Sequence, residues 1–145
     1  MAELKREASA TWRGDLKGGD GDITTESGAL KSIGYSFSTR FEDEPGSNPE
    51  ELIAAAHAAC YSMAFANTLD QKGYDPQSVQ THATCVLEST DGGFHISQMH
   101  LDVRGKVPDL DQAAFEAIAE EADKACPVSN LLRDGLEIHV KATLV

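Results

Sequence analysis

The sequence predicts an α+β fold built on antiparallel sheets, and three features carry that expectation. Val79 to Glu88 and Leu136 to Leu144 alternate apolar and polar residues with a period of two, as half-buried strands do. A capped, alanine-rich stretch from Pro49 reads as a long helix. The order of elements, strands, long helix, hairpin, helix, short helix, strand, groups like with like.

The first third reads as a meander of three or four strands. Ala8, Ala10 and Trp12 alternate with polar neighbours, the GGDGD stretch from Gly18 to Asp22 breaks the run, and Ile23 to Thr25 is β-branched. Ser27-Gly28 offers a turn before a further strand segment over Ala29 to Phe41. At Glu44 the pattern changes: Pro45-Gly46 signals a turn, Asn48 suits an N-cap, Pro49 suits the first helical position, and Glu51 completes a capping box. The helix expected from Pro49 runs to Lys72 with Gly73 as its cap, about 23 residues or roughly 35 Å. Apolar around much of its girth, it is expected to be central and buried.

Two strands follow. Val79, Thr81, Ala83, Cys85 and Leu87 alternate with polar neighbours, and after the turn Asp91-Gly92-Gly93, Met99, Leu101 and Val103 do the same, which makes a hairpin with one wet face. A second helix begins near Asp111, with Phe115, Ile118, Ala119 and Ala122 at helical spacing. Pro127 disfavours helical geometry at Cys126, so that helix should break there and a short one start with Pro127 at its first position. Leu136, Ile138, Val140, Ala142 and Leu144 mark the final strand.

With 145 residues, 41% hydrophobic and 25% charged, the composition suits one globular domain. A net charge of −12 repels phosphate backbones and anionic lipid, so neither nucleic acid nor a membrane is an expected partner. No apolar run approaches the roughly 20 residues of a bilayer span, and MAELKREASA lacks the apolar stretch of a signal peptide, so the expected compartment is the cytoplasm. Histidines without HxxxH or HxH spacing, and three cysteines without a CxxC pair, argue against a metal site.

In a reducing compartment the three cysteines are structural or catalytic. Cys85, on a strand face between Ala83 and Leu87, reads as a small buried hydrophobe. Cys60, with Ala56, Ala59 and Met63 around it on the long helix, is open between core filler and nucleophile. Cys126 differs in kind, because a helix N-terminus offers N–H groups and partial positive charge that stabilise a thiolate. The two could meet across the core, one attacking and the other resolving, which spacing alone leaves open. A reactive thiolate needs a cation, and of five arginines Arg40 stands out, between Phe37 and Phe41 at the entry to the loop before the long helix.

The stretch STRFEDEPGSNPEELIAAAHAACYSM, Ser38 to Met63, and the later ACPVSN, Ala125 to Asn130, resemble the two signatures of the OsmC/Ohr family of thiol peroxidases, and the OsmC branch more than the Ohr branch. The order of elements agrees along nearly the whole chain. The resemblance implies a homodimer in which extended sheets wrap around two central helices, with active sites at the subunit boundary. It implies that Cys60 is the peroxidatic thiolate, that Cys126 is the resolving thiol, and that Arg40 and Glu50 are the polar support of Cys60; it assigns no role to Cys85. It also implies a hydroperoxide substrate, no cofactor, and an external dithiol reductant, of which a lipoyl protein is one form.

Helix geometry adds a constraint. Glu50 lies ten residues before Cys60, about 15 Å along the axis and off its face. It cannot touch Cys60 of its own chain, so its support would act in the partner subunit, holding that site's arginine in place. The implied chemistry is thiolate attack on a peroxide oxygen, loss of water or an alcohol, condensation of the sulfenic acid with Cys126, and thiol exchange with the dithiol. Phe37, Phe41, Tyr61, Met63 and Phe65 are candidates for an apolar pocket that would admit organic hydroperoxides. His57, one turn before Cys60, is close enough to be a general base. The rival readings are a stress-linked module that binds an apolar ligand, its cysteines incidental, and a single-cysteine thiol hydrolase using Cys60 and His57.

Overall fold

A computed structural model describes residues 2–134, and the strand expected over Leu136 to Leu144, with His139, lies outside them. The chain divides into two units, one ending at Leu52 and one beginning at Ile53.

In the first unit, β1 (Ala8–Arg13), β2 (Asp20–Thr25) and β3 (Ile33–Ser36) form an antiparallel sheet in chain order. Asp20 and Gly21 lie inside β2 rather than in the break that the GGDGD stretch suggests. A Cβ at position 21 would sit 2.6 Å from the Tyr35 ring and 2.7 Å from the Thr11 carbonyl oxygen, so this glycine answers a close approach and not a turn. The larger departure is that the strand expected to reach Phe41 stops at Ser36, where a one-turn helix, α1 (Phe37–Phe41), begins. Ser36 Oγ accepts the Thr39 N–H at 3.2 Å while Thr39 Oγ accepts the Ser36 N–H at 2.8 Å. That reciprocal cap satisfies two helix-end donors and overrides the strand preference of the flanking aromatics.

The long helix α2 (Pro49–Gln71) begins as expected, with Asn48 Oδ1 accepting the Glu51 N–H at 2.8 Å. It stops at Gly73, whose φ of 87° lets the Tyr74 N–H reach back to the Leu69 carbonyl at 3.0 Å. In the second unit β4 (Ser78–Thr90) and β5 (Gly93–Lys106) form the hairpin. Its register sets Thr81 opposite Val103, Ala83 opposite Leu101 and Cys85 opposite Met99, so apolar faces coincide, with an irregularity at Val86/Leu87. Helix α3 (Gln112–Ala125) is capped by Asp111, which accepts the Ala114 N–H at 2.8 Å.

The core of this unit joins Tyr61, Phe65 and Leu69, spaced by four along α2, to Ile118, Ala122 and Cys126. Phe65 and Phe115 rings lie 4.9 Å apart. Against the expectation of a central, buried helix, Ala55, Ala56, Ala59 and Met63 of α2 are exposed in the single chain. The bulky side chains form one stripe, and the alanine stripe offers little area for its own chain to cover. By length and composition α2 is also apolar enough to cross a bilayer, which corrects the expectation that no run approaches that length. It nevertheless carries Glu50, Glu51, His57 and Asp70, and commits its apolar stripe to the protein core.

Tyr61 yields a measurable consequence of that packing. Its hydroxyl donates to the Ala119 carbonyl at 2.8 Å, and burial, with the charges of Asp123 and Cys126 adding, pushes its pKa up to about 12. An unfolded phenol titrates near 10, so between about pH 10 and 12 the unfolded chain has lost a proton that the folded chain keeps. Stability contributed by Tyr61 is therefore complete below about pH 10 and is lost as pH rises towards 12. Urea midpoints should fall across that window, and Tyr61→Phe should flatten the fall.

Candidate active site

Each unit holds one cluster of the residues singled out by sequence. In the first, α1 places the Arg40 guanidinium carbon 5.0 Å from the centroid of the Phe41 ring. Glu50, in the first turn of α2 and only 7% exposed, takes hold of the same guanidinium. Arg40 Nε donates to Oε1 and Oε2 at 3.2 and 3.1 Å, and a terminal nitrogen donates to Oε1 at 2.6 Å. Such a fork-to-carboxylate pair fixes orientation as well as charge. Glu50 therefore pins the arginine of its own chain. Beside Arg40, a cavity of about 230 Å³ is lined by Trp12, Leu16, Tyr35, Phe37 and Phe41. Of the five apolar-pocket candidates, only Phe37 and Phe41 line it; Tyr61 and Phe65 are core, and Met63 is exposed.

In the second unit, α3 ends at Cys126, whose extended backbone (φ −79°, ψ 114°) is the conformation that a following proline imposes. Helix α4 (Pro127–Asp134) starts there, with the Cys126 sulfur in the capping position: it accepts the Ser129 N–H at 3.4 Å, and the Cys126 carbonyl accepts the Asn130 N–H at 3.0 Å. Cys126 is fully buried and Cys60 is partly exposed. Each of the two thiols is among the groups that shift the other's pKa. Cys85 stands on β4 opposite Met99 and is not among the groups acting on either thiol.

Burial pushes the Cys60 thiol up; the Val128 N–H lowers it in part, and Cys126 raises it further. Burial pushes Cys126 up as well, but the Ser129 hydroxyl, the Ser129 N–H, the Cys60 thiol and the Val128 N–H outweigh it and hold Cys126 below the ordinary thiol value. Within one chain, charge thus settles on Cys126 while accessibility belongs to Cys60. Of these two thiols, Cys60 is the one that solvent reaches.

His57, 4% exposed, does not address Cys60. Its Nε2 lies 2.7 Å from Ser129 Oγ, a buried contact across 72 residues of sequence. Among the described residues its Nδ1 has no hydrogen-bond partner. Burial pushes its pKa down against the opposing charge of Asp123, so the ring is neutral at pH 7. A cavity of about 430 Å³ is lined by His57, Ser97, Met99, Asp123, Ser129 and Leu132 among others. Ser129 is the functional candidate that sequence reasoning passed over, although it stands inside ACPVSN at the third position of α4. His82, His95 and His100 are exposed on the hairpin, and among the described residues no three His, Cys, Asp or Glu side chains are grouped to hold a metal.

The family of OsmC-like proteins matches residues 41–141. The peroxiredoxin OsmC of Escherichia coli K12 is 45% identical over 130 residues, covering 90% of this chain and 91% of that protein. The organic hydroperoxide resistance protein OhrB of Bacillus subtilis is 29% identical over 135 residues, covering 92% and 95%. Among solved structures, an organic hydroperoxide resistance protein OsmC from Legionella pneumophila superposes with a TM-score of 0.69 at 24% identity, over 92% of each chain. An OsmC-like protein from Mycoplasma pneumoniae gives 0.69 at 19% identity over 99% of each, a likeness of α+β fold.

Proposed function

We propose, for a chain that belongs to the OsmC-like protein family and is a thiol-dependent hydroperoxide reductase, a two-cysteine cycle at a site completed by a second copy of the chain. The observation that carries it is the pair of thiols that act on each other's titration, Cys60 on α2 partly exposed and Cys126 at the start of α4 fully buried.

The Cys60 thiolate attacks one peroxide oxygen; the S–O bond forms, the O–O bond breaks, and the other oxygen leaves as an alcohol or water after taking a proton. Cys126 then attacks the sulfenic sulfur, the S–S bond forms, and the S–O bond breaks with loss of water. An external dithiol returns both thiols by exchange and is itself oxidised to a disulfide, a lipoyl protein being one form of such a partner. In this reading the two units work as one catalytic domain in the cytoplasm, where thiols are kept reduced, and no metal or cofactor takes part.

Cys60 needs a cation, since its own surroundings raise its pKa. Glu50 stands ten residues before Cys60 on α2 and grips Arg40, and the reading draws this Arg40–Glu50 pair from the second copy. The exposed stripe of Ala55, Ala59 and Met63 supports this, because small side chains let another helix approach α2 closely. Phe37 and Phe41 beside Arg40 suit the organic part of a hydroperoxide. Against the hydrolase alternative, the His57 Nε2 is directed at Ser129 Oγ.

Complementation tests the shared site. Arg40→Ala and Cys60→Ser chains, each nearly inactive alone, are co-expressed with different tags and the mixed dimer is isolated. One of its two sites then has both groups intact, so about half of the wild-type activity should return. No recovery in the mixed dimer would place Arg40 and Cys60 in sites built from single chains.

A further inference from the structure

His57 stands three residues before Cys60 on α2, and Ser129 stands three residues after Cys126, in the first turn of α4. Each is one turn from its cysteine. Both side chains are only 4% exposed, and they meet each other, with His57 Nε2 2.7 Å from Ser129 Oγ. A hydroxyl both donates and accepts, so the bond is made in either tautomer of the ring. The Ser129 N–H in turn donates to the Cys126 sulfur at 3.4 Å, while Cys60 packs against the core cluster that contains Cys126. Two further side-chain ties of α4 run to α3 instead: Asn130 Nδ2 donates to the Lys124 carbonyl at 2.9 Å, and Arg133 pairs with Asp123. The His57–Ser129 bond joins α4 to α2 itself. It is directional where apolar packing is not, so it fixes how far along α2, and at what rotation, α4 begins.

In the two-cysteine reading on which this inference rests, the resolving step forms the S–S bond as the S–O bond of the sulfenic acid breaks with loss of water. A disulfide forms without strain only where the two Cα atoms are about 4.4–6.8 Å apart. Here they belong to segments that tertiary structure alone brings together. We propose that His57 and Ser129 are positioning residues for this step, their hydrogen bond seating the start of α4 on α2 so that Cys126 is held within bonding reach of the Cys60 sulfenic acid. The role is geometric: no proton passes through the pair, and neither side chain is required to touch the peroxide. It accounts for a buried imidazole directed at a serine of another helix rather than at the thiol one turn along its own. It also accounts for a polar pair where two apolar side chains would fill the same space, because burying an imidazole and a hydroxyl carries a desolvation cost that apolar packing avoids. The first step, in which Cys60 meets the peroxide before Cys126 takes part, does not depend on it.

A single-turnover experiment tests it. Reduced protein is mixed with one equivalent of cumene hydroperoxide, and samples quenched over time are mapped for Cys60 sulfenic acid, trapped with dimedone, and for the Cys60–Cys126 disulfide. His57→Leu and Ser129→Ala should form the sulfenic acid at the wild-type rate and the disulfide about 10- to 100-fold more slowly, the scale of a misplaced reacting group. The double variant should be no slower than the slower single one, since both remove the same bond. His57→Gln, whose amide reaches the place of Nε2 but does not titrate, should restore most of the disulfide rate. In the same variants the equilibrium of the disulfide with glutathione, which reads how closely the protein holds the two sulfurs, should move towards the dithiol, and His57→Gln should move it back. Ser129→Ala removes a single oxygen and keeps the N–H bond to Cys126, so it decides the matter alone should His57→Leu fail to fold. Disulfide formation at the wild-type rate in Ser129→Ala, equal slowing of both steps, or His57→Gln as slow as His57→Leu overturns the positioning role. Failure of the wild type to form the disulfide defeats the two-cysteine reading itself, a separate result.

Discussion

Cys60→Ser should abolish hydroperoxide reduction, a loss of roughly 10³-fold or more, as expected when a nucleophile is removed. Cys126→Ser should behave differently: each chain releases one equivalent of alcohol in a first burst, Cys60 stays as a sulfenic acid that dimedone traps, and turnover with a dithiol then falls. Alcohol release followed by chromatography, alongside mass mapping of Cys60, separates the two outcomes. The contrast is informative because the single chain orders the thiols the other way, with Cys126 held low and Cys60 pushed up. If accessibility decides, as a fully buried Cys126 requires, the burst survives the loss of Cys126. Loss of the burst in Cys126→Ser with Cys60 unmodified would mean that Cys126 is the attacking sulfur.

Arg40→Ala should slow formation of the sulfenic acid by roughly 10²- to 10³-fold, the scale of one preorganised electrostatic contact to developing charge. It should also move the pH profile. A nearby cation lowers the thiol pKa, and thiolate reactivity is present above that pKa and lost as pH falls through it. Removing the cation shifts the loss to higher pH, towards the ordinary thiol value of about 8.5. Arg40→Lys restores the charge but not the fork that Glu50 grips at 2.6 to 3.2 Å, so its rate should lie between those of Ala and Arg. Initial rates between about pH 5 and 10 check both statements. An unmoved profile in Arg40→Ala would put the activating cation elsewhere.

What could be read in advance depended on how local its cause is. The start of α2 and the β4–β5 hairpin follow from neighbouring residues: Asn48 with Glu51 closes a cap, and alternation fixes which face of each strand is apolar. The one-turn helix holding Arg40 was equally local but hidden, because Ser36 and Thr39 cap each other inside a run of aromatics that reads as strand. The break at Cys126 was legible from Pro127 alone. The direction of the His57 ring was not: position 57 shares a helix face with Cys60, and only the packing of α4 against α2, 72 residues later, turns its Nε2 to Ser129. The pairing of Glu50 with Arg40 of the same chain was likewise decided by tertiary structure. So was the exposed alanine stripe of α2, since composition makes that helix apolar without saying which chain covers it.

The most direct test of the account is the state of the thiols in the wild-type protein after one equivalent of an organic hydroperoxide, read by differential alkylation and peptide mass mapping. The account predicts loss of two thiols per chain, a disulfide joining Cys60 to Cys126, Cys85 still open to alkylation, and full recovery of both thiols on adding a dithiol. Retention of all three thiols, or a disulfide that includes Cys85 and leaves Cys126 reduced, would contradict it.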